Sequence, residues 1–382
     1  IIYKWKNMVK AIVPSHAHLD HIAAIPFLAK NYPTTPIITV PFASAVLKAI
    51  LRDSKIPFNN EIIELNPNHH IKISNKITIE FINMTHSTPQ TVMIALHTPY
   101  GCVLYGCDSK LDDTPLLGKK PNYERIKEIA DKKVHKNGVI AFIADSTYSN
   151  EKKKTPSESV AKELLKGVLL GTQNENNLVI VTTFSSHLAR IKSILEIAKQ
   201  MNRKTVLLGR SLSKYIQAGI ETNIFQLPKN VELVKYSSQI KKSLKKIKNR
   251  KNYLLIVTGH QGETKATLSK MVSGKLDFNL HKEDHVIFSC TVIPTESNIK
   301  NREELEDELK KKKVRIFKDI HVSGHGAKED VHDLIKMTKA KKIIPAHGFE
   351  HMRKGIKELC LDMGYNNNDI IMIKDGETEK II

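Results

Sequence analysis

Cysteine pairs, long apolar runs and aromatic residues are all scarce in this 382-residue sequence. No stretch approaches the ~20 consecutive apolar residues that span a bilayer, and no charged start, apolar core and small-residue cleavage site marks a secretory signal. The four cysteines form no C-x-x-C pair, and Cys102 and Cys290 lie in strand-like runs where a thiol packs as a small hydrophobe. The sequence therefore argues against a membrane or disulfide-rich secreted protein, and it predicts a cytoplasmic protein with reduced thiols.

Acidic residues are also scarce relative to basic ones. The chain has 40 Asp and Glu against 60 Lys and Arg, which gives a formal net charge of +20. A field of this sign attracts polyanions, and nucleic acid is the commonest such partner. A Lys-rich composition is also typical of AT-rich or thermophilic sources, so charge alone leaves both explanations open.

The densest group of metal-type ligands is the motif H-x-H-x-D-H, formed by His16, His18, Asp20 and His21. It lies between a short apolar segment, 11–13, and an apolar run that begins at residue 22, which predicts a loop between a strand and a helix. Ligands held on such a loop can face one point, and imidazole with carboxylate suits zinc or another transition ion. A His-rich surface loop is the alternative, and the specific spacing favours a metal site.

Four more candidates come at the ends of apolar, strand-like runs: His86, Asp108, Asp145 and His347. Strand ends are where α/β proteins place their ligands. A carboxylate such as Asp108 can bridge two cations, because its two oxygens offer about four lone pairs. The alternatives are a structural role for His86 and a turn or capping role for Asp108.

The second half of the chain alternates strands and helices from residue 155 onward, which predicts a parallel sheet with helices on both faces. Polar turns follow three of these strands, and hydroxyls such as that of Ser185, together with Arg210, can bind phosphate there. The polar link 151–154 marks a domain boundary. Thr155 and Glu158 predict a capping box for the following helix. We also expect a single helix over 22–32 and a last strand over 370–373.

Two lysine-rich runs, 241–251 and 310–313, are the most basic segments of the sequence. A solvated helix face is the ordinary explanation for such a run, and a contact with an RNA backbone is the sharper one. For the second run, compensation of a helix dipole is a further explanation. The sequence alone does not distinguish the functions of the two runs.

Taken together, these motifs resemble the β-CASP branch of the metallo-β-lactamase superfamily, and most closely the archaeal type of ribonuclease J. The resemblance rests on the stretches 16–21, 145–147, 182–185, 209–211, 258–263, 321–325 and 345–348. It implies an α/β fold in which a metallo-β-lactamase αββα sandwich carries an inserted β-CASP parallel α/β domain. The implied domains are 1–154 and 319–382 for the two parts of the metallo-β-lactamase domain, and 155–318 for the β-CASP domain.

The same resemblance implies a site with two divalent ions, Zn²⁺ or alternatively Mn²⁺. One ion would be held by His16, His18 and His86, the second by Asp20, His21 and His347, with Asp108 between them. Catalytic roles are implied for Asp20, Asp145 and His325. Substrate phosphate would be bound by His321, Ser323 and Gly324, in addition to Ser185 and Arg210.

The implied activity is hydrolysis of RNA phosphodiesters by a hydroxide that two metals activate. The first expectation is a 5′→3′ exonuclease acting on 5′-monophosphorylated single-stranded RNA, in a chain that can form a homodimer. An endoribonuclease of the RNA-processing β-CASP type shares every ligand and stays open. The large insertion and the +20 charge argue against a small-molecule hydrolase, and the full ligand set argues against a silent RNA-binding protein.

Only fourteen residues precede the loop that opens at Ser15, whereas several strands and an Asp precede the corresponding loop in the family it resembles. We therefore expect a chain trimmed of its N-terminal strands. Loss of the residues that support metal ligands typically costs ~10–100-fold in affinity or activity. The 382-residue chain is accordingly expected to be impaired as an enzyme.

Overall fold

The computed structural model describes residues 8–54 and 56–381, and it divides into two compact units. The first unit comprises the chain up to Pro156 and again from Ser323 onward, and the second is Ser157–Val322. The domain bounds expected from the sequence, 154/155 and 318/319, lie slightly before these two points. The first unit is thus assembled from two separated parts of the chain.

The helices and strands of the described residues follow in chain order. The strands are β1 (Ile37–Thr39), β2 (Ile62–Glu64), β3 (His70–Ser74), β4 (Ile77–Asn83), β5 (Val92–Thr98), β6 (Gly101–Tyr105), β7 (Val139–Asp145), β8 (Val179–Thr182), β9 (Lys204–Leu208), β10 (Glu232–Val234), β11 (Tyr253–Val257), β12 (His285–Phe288), β13 (Arg315–Phe317) and β14 (Lys342–Ala346). The α-helices are α1 (Leu19–Ile22), α2 (Ile25–Leu28), α3 (Pro41–Ser54), α4 (Tyr123–Ala130), α5 (Glu158–Gly171), α6 (Leu188–Gln200), α7 (Arg210–Glu221), α8 (Ser237–Lys245), α9 (Thr267–Val272), α10 (Glu296–Lys311), α11 (Lys328–Thr338) and α12 (Glu350–Asp362).

The first unit is organised around a six-stranded sheet of order β14-β7-β6-β5-β4-β3. Strands β3 to β6 are antiparallel, whereas β6, β7 and β14 run parallel. The register pairs Asp145 at the end of β7 with Ala346 at the end of β14. This pairing brings two strand ends from distant parts of the sequence side by side. A separate parallel pair, β1 and β2, also belongs to this unit, and Ile12 bridges to its residue Ile37.

Two sequence predictions in the first unit are wrong. The apolar run 22–32 is not one helix but two single turns, α1 and α2, followed by a 3₁₀ turn. Pro26 explains the break, because a proline without an N–H fits the first turn of a helix and not its interior. The strand expected over 370–373 is reduced to a single bridge between Ile370 and Ile343.

The second unit has the parallel sheet that strand-helix alternation predicts. Its order is β10-β9-β11-β8-β12-β13, and every pairing is parallel. Strands β8 and β12 are buried along their full length, as is typical of a sheet covered by helices on both faces. The turns after β8, β9 and β11 therefore meet at one carboxyl edge of this sheet.

The start of α5 differs from the predicted capping box. The N-cap is Ser157, whose Oγ accepts a hydrogen bond from the amide of Ser159. The hydroxyl of Thr155 serves another segment instead: it accepts from the amide of Ala327 and donates to the carbonyl of His325, each at 2.9 Å. Glu158 instead forms a buried ion pair with Arg190, at 2.5 Å and 2.8 Å.

Arg190 is fully buried and ties several segments of the second unit together. Besides Glu158, its guanidinium donates to the Ser289 hydroxyl at 2.8 Å and to the carbonyls of Ile320 and Val322, each at 3.4 Å. Residues 158 and 320–322 are the two ends of this unit. The arginine thus joins the segment that enters the unit to the segment that leaves it.

In the described ranges, 8–54 and 56–381, no helix is both long enough and apolar enough to cross a membrane.

Candidate metal centre

The first three histidines of the site reach it from a loop that Ser15 fixes in place. The Ser15 hydroxyl donates to the carbonyl of Cys107 at 2.9 Å, and the Ser15 carbonyl accepts from the amide of Val92 at 3.2 Å. The same hydroxyl lies 2.9 Å from Nδ1 of His16. Since its only proton goes to Cys107, the imidazole must donate from Nδ1, and the lone pair is left on Nε2.

His86 and His347 are held in the same tautomer by different groups. Nδ1 of His86 lies 2.6 Å from the carbonyl of Gly324, which can only accept. Nδ1 of His347 lies 3.1 Å from the Thr147 hydroxyl, which gives its proton to Asp145 at 2.7 Å. In the neutral form of both rings, the lone pair is therefore on Nε2. A hydrogen bond of this kind on the far nitrogen is what orients a metal-binding histidine.

The Nε2 atoms of four histidines lie around the buried carboxylate of Asp108. Oδ2 of Asp108 lies 3.5 Å from His16, 3.3 Å from His21 and 3.7 Å from His86. Oδ1 lies 3.3 Å from His347. The two oxygens thus face different histidines, which is the arrangement that a bridging carboxylate requires.

Two overlapping groups of donor atoms result, each with all its atoms within 4.8 Å of one another. The first group is His16, His18, His86 and Asp108, and the second is Asp20, His21, Asp108 and His347. Asp20 is the most open of these ligands, and its Oδ2 lies 3.4 Å from Nε2 of His347. The structure thus brings together the seven side chains that the resemblance implied as metal ligands, in the same two sets.

The electrostatics of the first group suit a cation. Burial lowers the pKa of His16, and it lowers the pKa values of His18 and His86 well below the usual range, so these rings are neutral. Nδ1 of His18 nevertheless lies only 3.0 Å from Nε2 of His86. Neutral imidazole nitrogens at this distance, beside a carboxylate, are typical zinc ligands.

The second group carries an excess of negative charge. Although burial lowers the pKa of His347, contacts with Asp145 and Asp20 raise it to about 11. Burial likewise raises the pKa of Asp108, yet the nearby imidazoles of His16 and His21, at 3.5 Å and 3.3 Å, hold it well below the usual range. A site that holds a proton this firmly among carboxylates can exchange it for a metal ion.

Unsatisfied polar atoms point to the same conclusion. Among residues 8–54 and 56–381, buried atoms without a hydrogen-bond partner include Nε2 of His16, Nε2 of His21 and Oδ1 of Asp108. A buried polar atom without a partner costs about 1–3 kcal/mol. Three such atoms around one point fit a divalent ion as their missing partner.

A second feature of the site is the pair formed by His325 and Asp145. Nδ1 of His325 lies 2.7 Å from Oδ2 of Asp145, whose other oxygen accepts from the amide and the hydroxyl of Thr147. The ring of His325 lies 4.8 Å from that of His86 and 5.6 Å from that of His347, measured between centroids. Burial lowers the pKa of His325, but Asp145 outweighs this effect and raises it. The pair therefore provides an oriented imidazole, whose protonated form Asp145 stabilises, next to the metal ligands.

The residues expected to bind substrate phosphate lie in both units. In the first unit, Ser323 accepts from the amide of His325 at 2.9 Å, and Gly324 provides the carbonyl that fixes His86. A Cβ at Gly324 would come within 2.9 Å of the Ser87 backbone, so only glycine fits there. In the second unit, the hydroxyl of Ser185 lies 2.9 Å from that of Ser211 at the carboxyl edge of the sheet.

Two further predicted phosphate ligands also belong to the second unit. Arg210 is exposed and opens α7, one residue before Ser211. The ring of His321 lies 6.5 Å from that of Phe184 at the end of β8. The structure thus groups Ser185, Arg210 and Ser211 at one sheet edge.

Sequence reasoning did not assign a role to two residues that hold the site together, Ser15 and Thr147. Ser15 directly precedes His16, and Thr147 follows Asp145 by two residues. This proximity to candidate site residues is the only feature of the sequence that could have indicated their roles. Their partners are distant in the chain: 92 residues separate Ser15 from Cys107, and 200 separate Thr147 from His347.

Comparison with protein families agrees with the fold. Residues 4–113 match a β-lactamase superfamily domain, residues 176–304 match the β-CASP domain of ribonuclease J, and residues 311–371 match a Zn-dependent metallo-hydrolase RNA specificity domain. A crystal structure of an Enterococcus faecalis protein of unknown function aligns over 96% of this chain and 80% of its own, with a TM-score of 0.62 and 19% identity, and so shares the fold. The fold and the His/Asp centre define a metallo-β-lactamase-type hydrolase that binds divalent metal.

Relatives of known family show to which family within this class the chain belongs. Ribonuclease J of Methanocaldococcus jannaschii is 43% identical over 97% of this chain and 82% of its own length. Ribonuclease J of Pyrococcus abyssi is 39% identical over 98% of this chain and 82% of its own. Ribonuclease J 1 of Streptococcus pyogenes is 30% identical over 97% of this chain and 64% of its own. The chain belongs to the ribonuclease J family.

Proposed function

We propose that this protein is a 5′→3′ exoribonuclease that acts on 5′-monophosphorylated single-stranded RNA with two divalent ions, Zn²⁺ in the first place and Mn²⁺ as the alternative. Membership of the ribonuclease J family makes the protein a metal-dependent hydrolase that acts on RNA. The observation that carries the proposal is the position of Asp108, whose carboxylate lies within 3.7 Å of histidines of both groups: His16 and His86 of the first, and His21 and His347 of the second.

In this proposal His16, His18 and His86 would hold the first ion, Asp20, His21 and His347 would hold the second, and Asp108 would be a ligand of both. Two divalent ions in such a site lower the pKa of a water molecule and polarise a phosphoryl oxygen. Asp20 is exposed on the open side of the site, where its free oxygen can accept a hydrogen bond from the attacking water.

His325 is proposed to donate a proton to the leaving 3′ oxygen. Asp145 holds Nδ1 of the ring at 2.7 Å, so Nε2 carries the proton that can be transferred. The reaction breaks the bond between phosphorus and the 3′ oxygen and forms a bond from phosphorus to the water oxygen. The products are a nucleoside 5′-monophosphate and a chain shortened by one nucleotide.

Recognition of the RNA by phosphate contacts is the last part of the proposal. In the first unit, Ser323 and Gly324 lie beside the ligands and offer backbone amides to a phosphate. In the second unit, Ser185 and Arg210 provide a hydroxyl and a guanidinium at the edge where open α/β sheets bind ligands. The four thiols are buried and form no disulfide, which supports a reducing, cytoplasmic environment.

The direction of cleavage can be tested with internally labelled single-stranded RNA that carries either a 5′-monophosphate or a 5′-triphosphate. We expect labelled mononucleotides from the first products onward, faster release from the monophosphate, and no release by His18→Ala. Internal fragments that form equally from both RNAs would refute the exonuclease and indicate an endonuclease. No cleavage by a protein that retains two ions would refute the ribonuclease itself.

A further inference from the structure

The two lysine-rich runs that look alike in the sequence are electrostatically different in the structure. In α10, Lys310 pairs with Asp307 at 2.8 Å and Lys311 with Glu308 at 2.6 Å. Lys310 and Lys311 are therefore neutralised on their own helix. Only Lys312 and Lys313, just beyond the helix, form no ion pair with a carboxylate of the described residues, so this run contributes two unpaired charges.

The run 241–251 keeps most of its charge. Three of its basic residues are paired: Lys241 and Lys245 reach Asp277 at 3.3 Å and 4.0 Å, and Arg250 pairs with Asp284. The others form no ion pair with any carboxylate in residues 8–54 and 56–381, and they are exposed: Lys242, Lys246, Lys248 and Lys251. We call these four residues the lysine face.

Neighbouring elements extend the lysine face at the start of α8. The side chain of Tyr236 is 48% exposed, and the Nζ of Lys235 lies 5.1 Å from the centre of its ring. Lys270 from α9 donates to the Ser237 hydroxyl at 3.4 Å. One lysine therefore lies over an exposed aromatic ring and a second contacts the next residue in the chain, and exposed aromatic and basic side chains together are typical of proteins that bind single-stranded nucleic acid.

The sheet topology shows at which edges of the second unit the two ends of the lysine face lie. Helix α8 leads from the end of β10 to the start of β11, and both strands are parallel to β9. Tyr236 therefore lies at the carboxyl edge of the sheet, where Ser185 and Ser211 also lie. Lys248 and Lys251 lie toward the opposite edge. The face runs from the edge that carries the phosphate ligands across to the other edge of the same unit.

We infer that the lysine face is a second RNA-binding surface, which contacts the backbone of single-stranded RNA outside the metal centre while Tyr236 stacks on a base. Ion pairs with phosphates account for the unpaired lysines, and they require no particular base sequence. The inference rests on RNA as the substrate and is independent of the direction of cleavage. It predicts that RNA binding weakens when these lysines lose their charge.

Salt dependence provides the test, because each phosphate contact releases counterions from the RNA. Binding of a long fluorescent oligouridylate would be measured by anisotropy in EDTA, which prevents cleavage, over a series of monovalent salt concentrations. For single strands the slope of log K against log salt is about −0.7 for each contact. Replacing the four residues of the lysine face by Gln should therefore flatten the slope by roughly 2.8.

A matched control removes the same charge from lysines that are already paired, at positions 48, 310, 311 and 339. This variant should change the slope by less than one contact, about 0.7. Replacing the lysine face by Arg should keep the slope, which guards against a folding defect. A slope that falls equally in both Gln variants, or that falls with Arg, would overturn the inference.

Tyr236→Ala separates stacking from charge. We expect affinity to fall about 5- to 150-fold with an unchanged salt slope, because stacking is worth about 1–3 kcal/mol per base and releases no counterion. Unchanged affinity would overturn the stacking contact. All these experiments measure binding and not cleavage. They would therefore detect the RNA-binding surface even if the protein were no exonuclease, and an exonuclease that lacks this surface would fail them.

Discussion

The hydrogen bond between Asp145 and His325 offers a direct test of how the candidate site works. Asp145→Asn replaces a charge-assisted bond of 2.7 Å by a neutral one, and the imidazole loses the carboxylate that keeps it protonated. A hydrogen bond to a charged group contributes about 1.5–3 kcal/mol. Since each 1.36 kcal/mol corresponds to about tenfold in rate, we expect hydrolysis to slow by roughly 10- to 150-fold.

The double variant gives the decisive comparison. His325→Ala removes the proton donor itself and should slow hydrolysis by about 10² to 10⁴-fold. If Asp145 acts through this ring, the double variant should be no slower than His325→Ala alone. Single-turnover assays at saturating protein would measure the chemical step without product release.

Metal content must be measured in the same samples, because Asp145 also lies 3.5 Å from Nδ1 of His347. All three variants should retain the metal content of the unmodified protein. Thr147→Val is the matched control, since it removes a hydroxyl that supports Asp145 and His347 and leaves His325 in place. Rate losses that simply multiply in the double variant would show that Asp145 and His325 act independently, and would refute this reasoning.

Three further predictions address the ligands and the stability of the two units. Asp108→Ala should remove both ions in elemental analysis, because its carboxylate contacts His16 of the first group and His347 of the second. Arg190→Met should destabilise the second unit by about 3–5 kcal/mol in urea unfolding, since it removes the arginine partner of the buried carboxylate of Glu158. Although burial raises the pKa of Glu80, hydrogen bonds from His97 and Arg125 lower it to about 2 from 4.5. The stability that Glu80 contributes is complete above pH 4.5 and is lost as the pH falls toward 2, so Glu80→Gln should flatten acid unfolding in that window.

The sequence predicts the candidate ligands well because each stands in a strong local pattern. His16, His18 and Asp20 lie within five residues of one another, and Asp108 and His347 follow clear apolar strands. Strand-helix alternation likewise predicts the parallel sheet of the second unit, since its buried strands read as continuous apolar runs.

What the sequence could not predict depends on partners far away in the chain. The carbonyl of Gly324, which sets the tautomer of His86, lies 238 positions away. Whether a lysine is neutralised depends on tertiary neighbours such as Asp277, which pairs with Lys241 at 3.3 Å. The local rule also fails at Glu158, where a buried ion pair with Arg190 replaces the expected capping box.

The most direct test of the account is the number of divalent ions that activity requires. Metal-free protein would be titrated with Zn²⁺, and in parallel with Mn²⁺, while bound metal and hydrolysis of 5′-monophosphorylated RNA are measured in the same samples. If two metals activate the water, the protein should bind two ions per chain and reach full hydrolysis only when both are bound. Full hydrolysis with one ion per chain, or in the metal-free protein, would contradict it.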